Sequence, residues 1–93
     1  MEIRFYIDPE TERPHIWGHG VTEEEVAEVL RAPIEDRAGR EGSRVALGQC
    51  VSGRYLRVVY VPDVPPVSAF VITAYELGPK AKKALRRRRR RRR

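Results

Sequence analysis

Between Ser43 and Glu76 the chain carries three successive runs of strand-forming residues, "SRVALGQC", "RYLRVVYV" and "VSAFVITAYE", joined only by "VSG" and "PDVPP". Connections this short join antiparallel neighbours, because a parallel pair needs a crossover of a dozen residues or more. Gly53 can take the positive φ of a tight hairpin turn, and Pro65 and Pro66 have no N–H to give a ladder. The chain is therefore committed to an antiparallel sheet over its second half. "EIRFYI" (2–7) alternates β-branched and aromatic residues with polar ones and reads as one further strand, ended by the polar, proline-bearing "DPETERP".

Helices fill the rest. In "TEEEVAEVLRAP" Thr22 is an N-cap with Glu25 three residues on, the pattern of a capping box. Val26, Val29 and Leu30 make one apolar stripe, and Pro33 stops the helix. "HIWGHG" (15–20) holds one helical turn before it. "GP" at 78–79 opens a last helix, since proline suits the first helical position. "IEDRAGREGS" reads as loop. The expected fold is α+β, in the order β-α-α-β-β-β-α, with a mostly antiparallel four-stranded sheet and its helices on one face.

Charge divides the chain at the same place. Of 19 lysines and arginines, 11 lie in residues 80–93, which end in eight consecutive arginines, Arg86 to Arg93. The remaining eight, all arginine, stand against all 13 carboxylates, so residues 1–79 carry a net −5 beneath an overall +6. The division is a folded body (1–79) and a basic helix and tail (80–93), and long-range attraction for phosphate belongs to the tail. Three readings of the tail are open: a solvated appendage, an RNA or ribosome contact, and a dock for an acidic protein or a second subunit.

One cysteine, Cys50, gives no internal disulfide and no metal cluster, and no apolar run approaches the ~20 residues of a membrane span. The expectation is a cytoplasmic protein with no membrane contact and no cofactor. The lack of asparagine and the single glutamine, Gln49, suit a thermophile or a GC-rich genome.

The stretches "HGVTEEEVAEVL", "SGRYLRVVY" and "VITAYE" together resemble the BrnT-type and RelE-like toxins of bacterial toxin–antitoxin operons, over residues 15–76. His19, Gly20, Val21, Gly53, Arg54, Leu56 and Ala74 match, whereas Gly18 and Tyr75 stand where such chains often carry a lysine and an arginine. The resemblance implies a RelE-like fold, a toxin that cleaves RNA without a metal, and a neighbouring antitoxin protein as partner. Such cleavage needs a proton-transfer pair and fixed cations at the phosphate. The residues expected in those roles are His19, Arg57 and Tyr75 for catalysis, and Arg44, Arg54, Tyr55 and Arg86 for RNA. Alternation turns Leu56, Val58 and Tyr60 inward, with Val45 and Leu47, which leaves Arg44, Tyr55, Arg57 and Tyr75 as one open platform. Two other readings are open: a non-catalytic relative that binds a protein partner or homo-oligomerises, and a nucleic-acid binder acting through its tail.

Overall fold

A computed structural model describes residues 2–63 and 68–91. The connector residues Pro65 and Pro66 and the end of the tail, Arg92 and Arg93, lie outside the described residues. The strands are β1 (Glu2–Phe5), β2 (Ile7–Asp8), β3 (Arg13–Pro14), β4 (Glu35–Ala38), β5 (Arg44–Gln49), β6 (Tyr55–Asp63) and β7 (Ser68–Glu76). A 3-10 turn spans His15–His19, and the helices are α1 (Glu23–Arg31) and α2 (Pro79–Arg91). The architecture is α+β.

The capping box forms as expected: Thr22 Oγ1 accepts from Glu25 N–H at 3.1 Å and Glu25 Oε1 accepts from Thr22 N–H at 3.0 Å. The "VSG" hairpin forms too, with Gly53 at φ 101° and its N–H donating to Cys50 C=O at 2.8 Å. Pro79 is the first residue of α2. "HIWGHG" makes its single turn, anchored by Ile16, 1% exposed.

The sheet has five strands, in the order β1-β7-β6-β5-β4, instead of the expected four. The extra strand is β4, expected as loop. Its four residues are polar except for Ala38 and show no alternation of apolar side chains, so sequence periodicity does not register it. What makes the β4–β5 hairpin is its turn, where Glu41 and Gly42 both take positive φ (54° and 81°) and Ser43 N–H donates to Arg40 C=O at 2.9 Å. That is the primed turn whose twist matches paired strands. At the opposite edge β1 runs parallel to β7, from Glu2 beside Ser68 to Phe5 beside Val71, so the sheet is mixed. "EIRFYI" is not one strand: the chain leaves the sheet at Tyr6, and β2 pairs with β3 in a separate two-stranded ribbon.

The helices do not share a face. Ladder register puts Val45 beside Val59, Ala46 beside Val58 and Leu47 beside Arg57. Val45 and Leu47 therefore point away from the face that carries Leu56 and Val58. On that face α1 packs Val26, Val29 and Leu30 over Ala46, Leu56, Val58, Ala69, Val71 and Ala74. Gly48 belongs there because a β-carbon would stand 3.0 Å from Val29 Cγ1. On the other face Leu85 of α2 is fully buried with Val45, Leu47 and Leu77. β5 thus buries both faces, and two apolar sets that look equivalent in sequence serve two different cores.

A bulge settles β7. Val59 pairs with Thr73 and Tyr60 with Val71, which leaves Ile72 as the extra residue. One inserted residue inverts the alternation beyond it. Both Val71 and Ala74 consequently reach the α1 core, although no single alternating pattern puts them on one face.

One ion pair seats α2. Glu35 on β4, 7% exposed, accepts from Arg88 Nε at 2.7 Å and from Arg88 Nη2 at 3.0 Å. A two-pronged contact of this kind is stronger than a neutral hydrogen bond, and it holds the middle of the arginine run against the edge strand. Among the described residues no helix is long and apolar enough to cross a membrane.

If this pair seats the helix, Glu35→Gln should lower the melting temperature by about 5 °C or more, the effect of losing roughly 1–3 kcal/mol from a domain this size. The loss should appear in far-ultraviolet circular dichroism as reduced helix content, with the sheet signal retained.

Candidate functional site

Beyond Phe5, β1 no longer covers β7, and the 3-10 turn lies along the uncovered stretch. With Ile16 buried, the residues around it face outward. His15 and His19 meet edge to face with ring centroids 5.1 Å apart, and His19 lies 6.0 Å from the Tyr75 ring. On the far side His15 meets Tyr6 at 6.0 Å, and its Nδ1 stands 3.6 Å from Asp8 Oδ2. Asp8 is placed by its own turn, in which Oδ1 accepts from Glu10 N–H at 2.9 Å. The two histidines line a cavity of about 350 Å³ together with Asp8, Arg13 and Trp17. Arg13 holds its guanidinium 5.9 Å above the Trp17 ring, which is 46% exposed and is fixed by an Nε1–H donated to Glu23 Oε1 at 2.8 Å. Trp17 is thus a surface ring beside the histidines.

The structure brings some of the expected site residues together and separates others. His19 and Tyr75 are neighbours. Arg57 lies beside Tyr75 in the β6–β7 ladder and shares a face with Tyr55, two residues before it on the same strand. Arg57 makes no ion pair among the described residues, and its Nε is buried without a hydrogen-bond partner. Tyr55 and Arg86 meet in a second cavity of about 360 Å³, completed by Arg89 and Arg90.

Arg44 and Arg54 lie elsewhere. Arg44 shares the α1 side of the sheet with Ala46 and Tyr60, so the single open platform of Arg44, Tyr55, Arg57 and Tyr75 does not exist. The reason is register: Arg44 sits opposite Tyr60, one residue out of phase with Val45 and Val59. Its Nε donates to Asp36 Oδ1 at 2.7 Å, and that hydrogen bond, more than Coulomb attraction, raises its pKa. Arg54 donates to both Glu25 oxygens (3.0 and 2.9 Å) and to Gly20 C=O (3.1 Å), and stands 3.5 Å from Glu76. It ties the end of the 3-10 turn and the start of α1 to the sheet, and its charge is matched by carboxylates.

Two further groups are protonated by their surroundings. Burial, then Glu25 and Glu28, pushes the Cys50 thiol up to about 11, which leaves it a poor nucleophile. Burial and the hydrogen bond that Tyr60 donates to Asp36 push the Tyr60 phenol up to about 12. Among the described residues no group of three or more His, Cys, Asp or Glu side chains is gathered to hold a metal ion.

Sequence reasoning passed over Asp8 and Arg13, set His15 behind His19, and took Arg89 and Arg90 only as part of the basic tail. The available signal was proximity: two histidines at the two ends of a five-residue turn cannot lie far apart.

The class these features define is a small α+β domain, with a five-stranded mixed sheet between two helices and an imidazole pair at the sheet edge. The chain belongs to the family described as a domain of unknown function (DUF4258), whose profile matches residues 18–76. The matched span holds His19, Arg57 and Tyr75, while Asp8, Arg13, His15 and all of α2 lie outside it. No curated protein and no solved structure matches the chain.

The Tyr60 shift predicts a late step in alkaline titration. Its folded pKa lies above the ordinary 10.0, so its contribution to stability is complete below pH 10.0 and disappears as the pH climbs to about 12. Followed by phenolate absorbance, one of the four tyrosines should ionise last, and Tyr60→Phe should remove that component.

Proposed function

We propose that this chain is a metal-free RNA endonuclease, the toxin-like half of a toxin–antitoxin pair, with its proton-transfer groups in the His15–His19 pair. The observation that carries the reading is one cavity lined by two imidazoles, a carboxylate beside one of them, a guanidinium and an exposed indole. Each has a task in cleaving RNA next to a 2′-hydroxyl. His15, with Asp8 at its Nδ1, takes the proton from the 2′-hydroxyl. The freed oxygen attacks phosphorus, forming the new O–P bond of a 2′,3′-cyclic phosphate. The bond from phosphorus to the 5′-oxygen breaks, and His19 in its protonated form supplies that oxygen with a proton. Arg13 balances the charge that develops on the phosphoryl oxygens, and Trp17 offers a ring on which a base can stack.

Tyr75 extends the site onto the sheet. It lies against His19 on one side and beside Arg57 on the other, so Arg57 can receive the next phosphate of the strand. In this reading Arg57 is a substrate ligand with no proton to transfer, and Arg44 and Arg54, matched by carboxylates, take no part. Among the described residues Arg86, Arg87, Arg89, Arg90 and Arg91 enter no ion pair, which suits an antitoxin with an acidic binding segment.

The test is cleavage of a labelled single-stranded RNA in the presence of EDTA. His19→Ala and His15→Ala should each slow it about 10²- to 10⁴-fold, the usual worth of a positioned acid or base, whereas Arg57→Ala should act mainly on KM. RNA left intact by the wild-type protein, or cut as fast by either histidine variant, overturns the reading.

A further inference from the structure

α2 carries more positive charge than its docking uses. Arg88 is occupied by Glu35, while Lys82, Arg86, Arg89 and Arg90 enter no ion pair among the described residues. Those four recur at i, i+4, i+7 and i+8, so they form one stripe along the helix. Like charges at this spacing repel one another, and among the described residues no ion pair relieves the stripe. Beside it stands Tyr55, whose ring lies 5.9 Å beneath the Lys82 ammonium. Tyr55, Arg86, Arg89 and Arg90 enclose about 360 Å³.

We propose that this groove binds single-stranded RNA, with a base stacked on Tyr55 and the flanking phosphates held by Lys82, Arg86, Arg89 and Arg90. The choice of RNA as the strand rests on the endonuclease reading above. An aromatic floor beside a row of cations is the arrangement that retains unpaired nucleotides, since every base has a π-face and every linkage a charge. A duplex keeps its bases stacked on one another and cannot give one to Tyr55. Lys82 already holds a cation over the ring, and its flexible stem lets the ammonium move to a phosphate when a base arrives. From Tyr55 the same sheet face continues to Arg57 and then, across the ladder, to Tyr75 and His19. The groove thus stands at one end of a path that leads to the imidazole pair.

The experiment measures binding without cleavage. A fluorescently labelled, 2′-O-methylated RNA strand, which has no free 2′-hydroxyl, is titrated by anisotropy over a range of salt concentrations. Four phosphate contacts on a single strand give a slope of log affinity against log salt of about −3. Replacing Arg86, Arg89 and Arg90 together by glutamine should bring the slope to about −1 and weaken binding at least about tenfold. Tyr55→Leu should weaken binding about 5- to 100-fold with the slope unchanged, the mark of a lost stack, and Tyr55→Trp should retain wild-type affinity. The pair Arg87→Gln with Arg91→Gln, off the stripe, should change affinity less than about threefold. Circular dichroism establishes that each variant is folded.

The proposal fails if Tyr55→Leu binds as tightly as wild type, or if the Arg87/Arg91 pair matters as much as the stripe. It also fails if duplex RNA binds equally well, or if polyglutamate of matched charge displaces the strand more readily than unlabelled RNA does, which would assign the groove to an acidic protein. Failure here is separable from failure of the endonuclease reading. Tight, Tyr55-dependent binding without cleavage of unmodified RNA removes the catalytic reading and leaves the groove standing. Cleavage that depends on His15 and His19, with binding indifferent to Tyr55, does the reverse.

Discussion

A carboxylate buried in an edge strand determines where the most highly charged part of the chain goes. Glu35 is the one buried charged residue among the described residues, and leaving it unmatched would cost several kcal/mol. Arg88 meets it through two hydrogen bonds, and that contact, with Leu85 beneath it, turns what composition suggests is a tail into a wall of the domain. Everything on that side of the sheet follows. With α2 in place Val45 and Leu47 are covered, Tyr55 lies at the helix flank, and the remaining arginines face outward together. A helix of unopposed arginines has little reason to stay ordered. One that is pinned in its middle and buries a leucine does.

Local signals in the chain were readable because they are local in physics. The capping box, the hairpin turn at Gly53 and the proline at the start of α2 each depend on a few adjacent residues, and each stands where the sequence puts it. Facing was harder to read. Val45, Leu47, Leu56 and Val58 are all apolar and all alternate, and only the pairing register tells that two belong to one core and two to the other. Beyond Ile72 the alternation inverts, which no count of apolar residues predicts. Charge pairing was the least legible. Arg54 finds Glu25, and Arg88 finds Glu35, across distances in sequence that propensity does not span.

The same logic explains why the candidate site differs from the one that sequence suggests. Arginines on strands look like phosphate ligands until their partners are known, and Arg44 and Arg54 turn out to be matched by carboxylates. Of the four arginines expected at the site, Arg57 and Arg86 enter no ion pair among the described residues. The histidines became meaningful only once the 3-10 turn was seen to lie where β1 stops covering β7, because that gap lets Tyr75 join them. Polar and aromatic side chains from several elements meet at this edge because regular pairing has ended there.

β1 has a consequence for how the molecule comes into being. Its only partner in the sheet is β7, so Glu2 has nothing to pair with until Ser68 has been made. During synthesis the hairpins of β4, β5 and β6 can assemble as they emerge, while the first strand waits. Closure of that edge is a long-range event, slow on the scale of local hairpins. Tyr75, the sheet residue that flanks His19 beside the same edge, likewise reaches its place only once β7 has been made.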